Sequence, residues 1–254
     1  MRVLLTNDDG INARGLEALR RIAGALSDDV WTVAPETDQS GQARSLTLSH
    51  PLRVREAGER SFAVTGTPTD CVIMGVRSLV PGPVDLVLSG VNQGTNIGDA
   101  VLYSGTVAGA MEGAFLGIPS VALSQAYAPD GTRAVRWETC EAAAPDILRA
   151  LVADGFSASR LVNVNFPDCA PDELGPVEVV RQGQFEHALH VEERRDGRNL
   201  PYHWLQFRGG PTNEQPGTDI QALRGRRVAV TPLHPDLTDD RATGGLARLF
   251  SADA

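Results

Sequence analysis

Two aspartates side by side, Asp8 and Asp9, follow the apolar run Val3-Leu4-Leu5 and are closed by Gly10. Adjacent carboxylates repel each other, and a nearby cation relieves that repulsion. Hard oxygen ligands of this kind suit Mg²⁺ or Mn²⁺ better than Zn²⁺. The same tetrad, Asn7-Asp8-Asp9-Gly10, also reads as an ordinary Asp-rich turn with glycine at positive φ. A second cluster, Asp38-Gln39-Ser40-Gly41, offers a cation the hydroxyl oxygen of Ser40, or is simply a loop with a capping serine. The third runs from Ser89 to Gly98 and holds Gly90, Gly94, Gly98, Asn92 and Asn96. That is the composition of backbone that approaches a ligand closely, and equally of a flexible surface loop. Tyr103-Ser104-Gly105-Thr106 then opens a predicted helix. Its free N–H groups and hydroxyls form an anion site or, in the plainer reading, a cap.

These clusters gain weight from where the elements place them. Residues 3–5, 30–34, 84–88, 120–124 and 161–164 read as short buried strands. They alternate with helical patterns over 15–26, 68–79, 106–116 and 137–152, the first with Leu16, Leu19, Ile22, Ala23 and Leu26 on one face. The predicted fold is α/β: a Rossmann-like, three-layer αβα core with a mostly parallel sheet. Open sheets of this class bind ligands beyond the carboxyl ends of their strands, and the three loop clusters fall there. Residues 45–65 alternate instead, which predicts an antiparallel excursion off the main sheet. Residues 177–180, 185–191 and 202–207 predict the strands of a long C-terminal β-hairpin with Asp196-Gly197 near its turn. A short helix over 218–223 and a strand over 228–231 follow, and the polar tail from Asp236 is expected to be loosely ordered. The predicted organisation is one domain over 1–254. Residues 1–165 and about 225–235 form the core, about 177–224 a hairpin extension for oligomerisation, and 236–254 a tail. A long aromatic-bearing hairpin needs something to pack on, and a second copy of the chain fits.

Composition removes several classes. The 254 residues carry a net charge of −9, which argues against a nucleic-acid polymer as partner. No apolar run is long enough for a membrane span and no leader pattern precedes Arg2, so a soluble, cytoplasmic protein is expected. Cys71, Cys140 and Cys169 form no CxxC pair and read as free thiols of a reducing compartment. There is no Walker loop, GxSxG elbow or DxDx[TV] signature, and the GxGxxG spacing of a dinucleotide-binding oxidoreductase is missing. His50, His187, His190, His203 and His234 are scattered and read as structural or surface residues. The mixed run Glu193 to Asp196 reads as a solvated face.

Taken in order, the clusters resemble the SurE family (survival protein E). The resemblance rests on Asn7-Asp8-Asp9-Gly10, Ser40-Gly41, Gly66-Thr67-Pro68-Thr69-Asp70-Cys71, and Ser89-Gly90-Val91-Asn92 with Gly94 and Asn96. It continues through Tyr103-Ser104-Gly105-Thr106-Val107-Ala108, Met111-Glu112-Gly113 and, near the end, Thr231-Pro232-Leu233. The match is close over residues 1–125 and loose over 126–225. It implies a phosphatase that uses one divalent metal ion, Mg²⁺ or Mn²⁺, and acts on nucleoside 5′- and 3′-monophosphates, with short polyphosphate as a further substrate. It implies Asp8, Asp9, Ser40 and Asn92 as metal ligands, and Asn96, Ser104, Gly105 and Thr106 around the phosphate. Asp8 or Asp9 would align or deprotonate the attacking water, an aspartyl-phosphate route being the alternative. It also implies a homodimer or homotetramer with exchanged C-terminal segments. The rival readings are a nucleotide-sensing module that binds without hydrolysis and a nicotinamide-dependent oxidoreductase.

Overall fold

A computed structural model describes residues 1–128, 130, 132–156, 160–185, 188–208 and 216–250. The chain opens with β1 (Arg2–Thr6), α1 (Arg14–Gly24), β2 (Asp29–Pro35), β3 (Val54–Gly58) and β4 (Ser61–Val64). Then come α2 (Pro68–Met74), running on into a π turn at Gly75–Leu79, and β5 (Leu86–Gln93). A 3₁₀ turn at Gly98–Tyr103 leads into α3 (Gly105–Phe115), followed by β6 (Ser120–Gln125), α4 (Trp137–Ala153) and β7 (Leu161–Phe166). The last elements are β8 (Val177–Val179), β9 (Ala188–Arg195), β10 (Pro201–Arg208), α5 (Asp219–Arg224), β11 (Val228–Leu233) and α6 (Asp240–Leu249).

The main sheet has the order β3-β4-β2-β1-β5-β6-β7-β11-β8. The run from β4 to β7 is parallel throughout, while β11 is antiparallel to β7. Strand side chains alternate between faces, and the alternation decides which helix each one meets. Val3 and Leu5 pack with Leu16 and Leu19 of α1 and Leu148 of α4. Leu4, between them, points the other way and packs with Val72 of α2. Strand β6 does the same, with Val121 and Leu123 toward α1 and α4 and Ala122 toward Val107 and Ala110 of α3. Helices therefore cover both faces, and the three-layer α/β core predicted from sequence is what forms.

The chain builds outward from β1 in one direction (β2, then β4) and then returns to build the other way (β5, β6, β7). The order reverses between β1 and β5, so the crevice of the sheet opens at their carboxyl ends. Residues 7–10 and 92–96 stand there.

Four expectations need correction. Residues 45–53 form no strand, and residues 54–64 do not leave the main sheet: β4 pairs parallel to β2 and β3 folds back on it as the edge strand. Alternation at a half-exposed edge looks the same in sequence as an independent hairpin. Residues 89–93 are not loop, because β5 runs through them with a register shift against β6 between Ser89 and Asn92. Glycine there marks a close backbone approach rather than flexibility. A side chain on Gly90, whose φ is +135°, would run into the Leu123 carbonyl. Residues 177–180 are not part of the hairpin: β8 is the outer edge of the main sheet, parallel to β11. The hairpin itself is β9 and β10, paired antiparallel as a separate two-stranded sheet. Within its predicted span, residues 186 and 187, including His187, lie outside the described residues. Finally, the polar tail holds α6, capped by the Asp239 side chain on the Arg241 N–H, with none of its side chains buried. Its last predicted residues, 251–254, lie outside the described ones.

Candidate active site

β1 delivers the chain into a turn that Asn7 closes by donating its amide N–H to the Gly10 carbonyl at 2.9 Å. The loop after β2 is tied to this turn, because the Gln39 N–H donates to the Asp8 carbonyl at 2.8 Å. Within that loop Asp38 Oδ1 accepts from the Ser40 N–H at 2.8 Å and from the Ser40 hydroxyl at 2.6 Å. At the end of β5 the Asn92 side chain donates an N–H to the Gly94 carbonyl at 2.9 Å. Three separate strand ends thus bring Asp8, Asp9, Ser40 and Asn92 to one cleft of about 430 Å³.

Asn96 and Ser104 line the same cleft. Asn96 is held from several directions. Its N–H donates to Asn165 Oδ1 at 2.8 Å, and its carbonyl accepts from Asn163 at 2.8 Å and Asn165 at 3.1 Å. Its side-chain amide donates to Ser124 Oγ at 2.9 Å. Ser104 caps α3, its oxygen accepting from the Val107 N–H at 3.0 Å. Thr106 and Gly105 stand behind the cleft wall. The Thr106 hydroxyl donates to Asp8 Oδ1 and is fully buried. A Cβ on Gly105 would lie 2.8 Å from Asp8 Cβ, so glycine there lets α3 approach the carboxylate.

The electrostatics are those of a site short of positive charge. Burial pushes the Asp8 carboxyl above its usual range, against the hydrogen bond from Thr106, which pulls it down. Burial and then the charge of Asp8 push Asp9 up to about 6. Neither carboxylate has an arginine on it among the described residues. A divalent cation fits the donor set. The two neutral ligand candidates already give protons to protein acceptors, Ser40 to Asp38 and Asn92 to Gly94, which leaves oxygen lone pairs for a ligand. Among the described residues no three His, Cys, Asp or Glu side chains form a ready metal cluster, so a site here needs the serine and asparagine oxygens as well.

Sequence reasoning missed several residues. Asp38, Tyr103, Tyr127 and Arg133 also line the cleft. Asp38 and Tyr103 sat inside clusters already singled out. Tyr127 and Arg133 lie in a stretch with no motif. Asn163 and Asn165 carried a readable signal: two asparagines two apart in the otherwise apolar strand Leu161–Phe166 share one face, and buried amides need partners.

Comparison with known proteins gives the family. Residues 3–188 match the family described as survival protein SurE. A protein of Mesorhizobium japonicum named 5′-nucleotidase SurE is 60% identical over 239 residues, covering 94% of this chain and 95% of that protein. One of the same name from Brucella canis is 55% identical over the full length of both. The crystal structure of the SurE protein from Aquifex aeolicus superposes with a TM-score of 0.84 at 36% identity, covering 99% of this chain and all of that one. With its motifs in order, its cleft at the strand ends and these relatives along its whole length, the chain belongs to the SurE family.

Proposed function

We propose that this chain is a divalent-metal-dependent phosphomonoesterase that hydrolyses nucleoside 5′-monophosphates, and 3′-monophosphates as well, to nucleoside and phosphate. The observation that carries the reading is the convergence of Asp8, Asp9, Ser40 and Asn92 from three strand ends on one cleft beside the α3 N-terminus. The names of the relatives from Mesorhizobium and Brucella supply the substrate class.

Asp8, Asp9, Ser40 and Asn92 would hold one Mg²⁺ or Mn²⁺. When bound, such an ion neutralises phosphoryl oxygens and lowers the pKa of water. The rest falls to the chain. Ser104, its oxygen already accepting from Val107, keeps its own O–H to donate to a phosphoryl oxygen. The first turn of α3 adds backbone N–H groups and its positive end. Asn96, fixed by Ser124, Asn163 and Asn165, holds the phosphoryl group without having to reorganise. Thr106 keeps Asp8 in one orientation. Asp9, partly wetted and hydrogen-bonded among the described residues only by the Gln93 N–H at a long 3.4 Å, is placed to orient or deprotonate the attacking water. Water attacks phosphorus as the P–O ester bond to the nucleoside breaks; Asp9 takes a proton from the water, and the departing alkoxide takes one from solvent.

The three cysteines are buried and unbridged, in keeping with a reducing cytoplasm. No described helix is long and apolar enough to cross a membrane. The exposed apolar side chains of β9 and β10 support a homodimer or homotetramer with exchanged C-terminal segments.

Phosphate release from AMP, GMP, 3′-AMP, p-nitrophenyl phosphate and short polyphosphate is the test. Chelation by EDTA is expected to stop it and Mg²⁺ or Mn²⁺ to restore it. Full turnover by metal-stripped protein overturns the metal site. Tight nucleotide binding with no release at any metal favours the sensing module instead.

A further inference from the structure

We propose that Arg133, held against the ring of Tyr127 at the rim of the cleft, is a substrate-binding residue that grips the phosphoryl dianion. This rests on the reading above that the cleft takes a phosphomonoester.

The lining of the cleft includes three carboxylates, Asp8, Asp9 and Asp38, and among the described residues one cationic side chain, Arg133. A guanidinium beside carboxylates ordinarily closes on one of them as a bidentate pair. Arg133 does not: no described carboxylate pairs with it. Its guanidinium carbon sits 5.4 Å from the centre of the Tyr127 ring instead. Stacking on a ring face leaves the N–H fork available for another anion.

The backbone keeps the pair in place. Tyr127 and Val135 form an antiparallel bridge, with the Ala128 N–H donating to the Ala134 carbonyl at 2.8 Å. Asp130 accepts from the Thr132 N–H at 2.9 Å and the Thr132 hydroxyl at 2.6 Å, which fixes the turn. Gln93, itself in the cleft lining, donates to the Arg133 carbonyl at 3.3 Å. Arg133 adopts a φ of +56°, a conformation that costs a non-glycine residue and persists only where its surroundings enforce it. A residue strained into this place, ungripped by three nearby acids, is arranged for an anion that arrives.

The test pairs binding with turnover in the metal-loaded protein. Arg133→Ala is expected to weaken inorganic phosphate binding about ten- to a hundredfold, the weight of one charge-assisted hydrogen bond, and to raise KM for AMP in step. Arg133→Lys recovers part of the loss, since a point charge replaces a fork. Mn²⁺ binding without phosphate stays the same or tightens, because a repelling charge is gone. Tyr127→Leu, which removes the ring, shifts phosphate binding in the direction of Arg133→Ala. Wild-type phosphate binding and KM in Arg133→Ala overturn the proposal, and so does a parallel loss of Mn²⁺ binding, which would mark a purely structural role. If the wild type releases no phosphate from any nucleotide, the phosphatase reading falls separately, and the phosphate-binding comparison still decides for or against Arg133.

Discussion

Asp8, Asn96 and Ser104 stand 5%, 8% and 7% exposed, and each is hydrogen-bonded: Asp8 to Thr106 of α3, Asn96 to Ser124 of β6, and Ser104 to Val107 of the helix it caps. Trp204 and Leu205 on β10 stand 55% and 69% exposed, and among the described residues the strand that carries them pairs only with β9. The cleft puts polar groups where water is scarce; the arm puts apolar groups where water is plentiful. Each arrangement is unfavourable unless something completes it. In the cleft most of the completion is internal: Asn163, Asn165, Ser124 and Thr106 orient the polar groups in advance, and charge is what is still lacking. In the arm nothing within the described chain completes it, and a second copy of the chain is the natural cover.

The largest effect expected is at Asp9. Asp9→Asn keeps the volume and removes the charge, and should lower nucleotide turnover by about a thousandfold, the weight of several kcal/mol of metal-assisted stabilisation. The same change should help the stripped protein. Asp9 is raised from the usual 3.8 to about 6 in the folded chain. As pH climbs from about 4 to 6 the unfolded chain ionises first, so stability is lost across that window and stays lost above it. Metal-free Asp9→Asn should therefore melt higher than metal-free wild type at pH 7 and about equally at pH 4. A variant that melts lower at pH 7, or one that turns over normally with metal, would show that the cleft does not lack positive charge.

Next in size is the contact where the C-terminal part of the chain meets the segment that follows Asn96. Asp219 at the start of α5 accepts the backbone N–H groups of Gly98 and Gly183, both at 2.9 Å. Asp219→Ala leaves these two buried donors and the Ile220 N–H, which donates to the same carboxylate at 2.8 Å, without that partner, at about 1–3 kcal/mol each, and Asp219→Asn restores part of this by keeping one oxygen. Urea unfolding measures the loss. If turnover at saturating metal survives while stability falls, the cleft keeps its geometry without help from α5. If KM rises with the stability loss, the segment through Gly98 transmits the damage to Asn96.

How much of this was legible in sequence differs between the two regions for a physical reason. Val3-Leu4-Leu5 and the strands like it are buried on both faces, so apolar runs mark them plainly. Each cluster at their carboxyl ends could pass for an ordinary loop by itself, but their shared place at strand ends singled out Asp8, Asp9, Ser40, Asn92, Asn96 and Ser104, which do line one cleft. The contacts that Thr106 and Gly105 make with Asp8 were not legible, because a helix N-terminus presents some groups to the cleft and others to the sheet. Tyr127 and Arg133 were invisible: they act through a turn geometry and a ring stack that no spacing encodes. The edge strands β3 and β8 were misplaced because an exposed edge shows the same alternation wherever it pairs. Helix α6 was missed because a polar composition hides a weak apolar spacing at Leu246 and Leu249.

The smallest effect on the single chain should come from the arm, and its smallness is the point. Trp204→Glu or Leu205→Glu exchanges an exposed apolar side chain for a charge and breaks no side-chain hydrogen bond among the described residues. Exposed positions of this kind usually change stability by no more than about 0.5 kcal/mol. If the arm is covered by another copy, the same substitutions bury a carboxylate in an apolar interface and should shift the protein toward monomer in sedimentation or light scattering. Urea unfolding of the isolated monomer should stay within that small margin. A mass unchanged from wild type across both variants would place these side chains outside any interface. A large drop in the monomer's own stability would mean instead that the arm folds back on its own core.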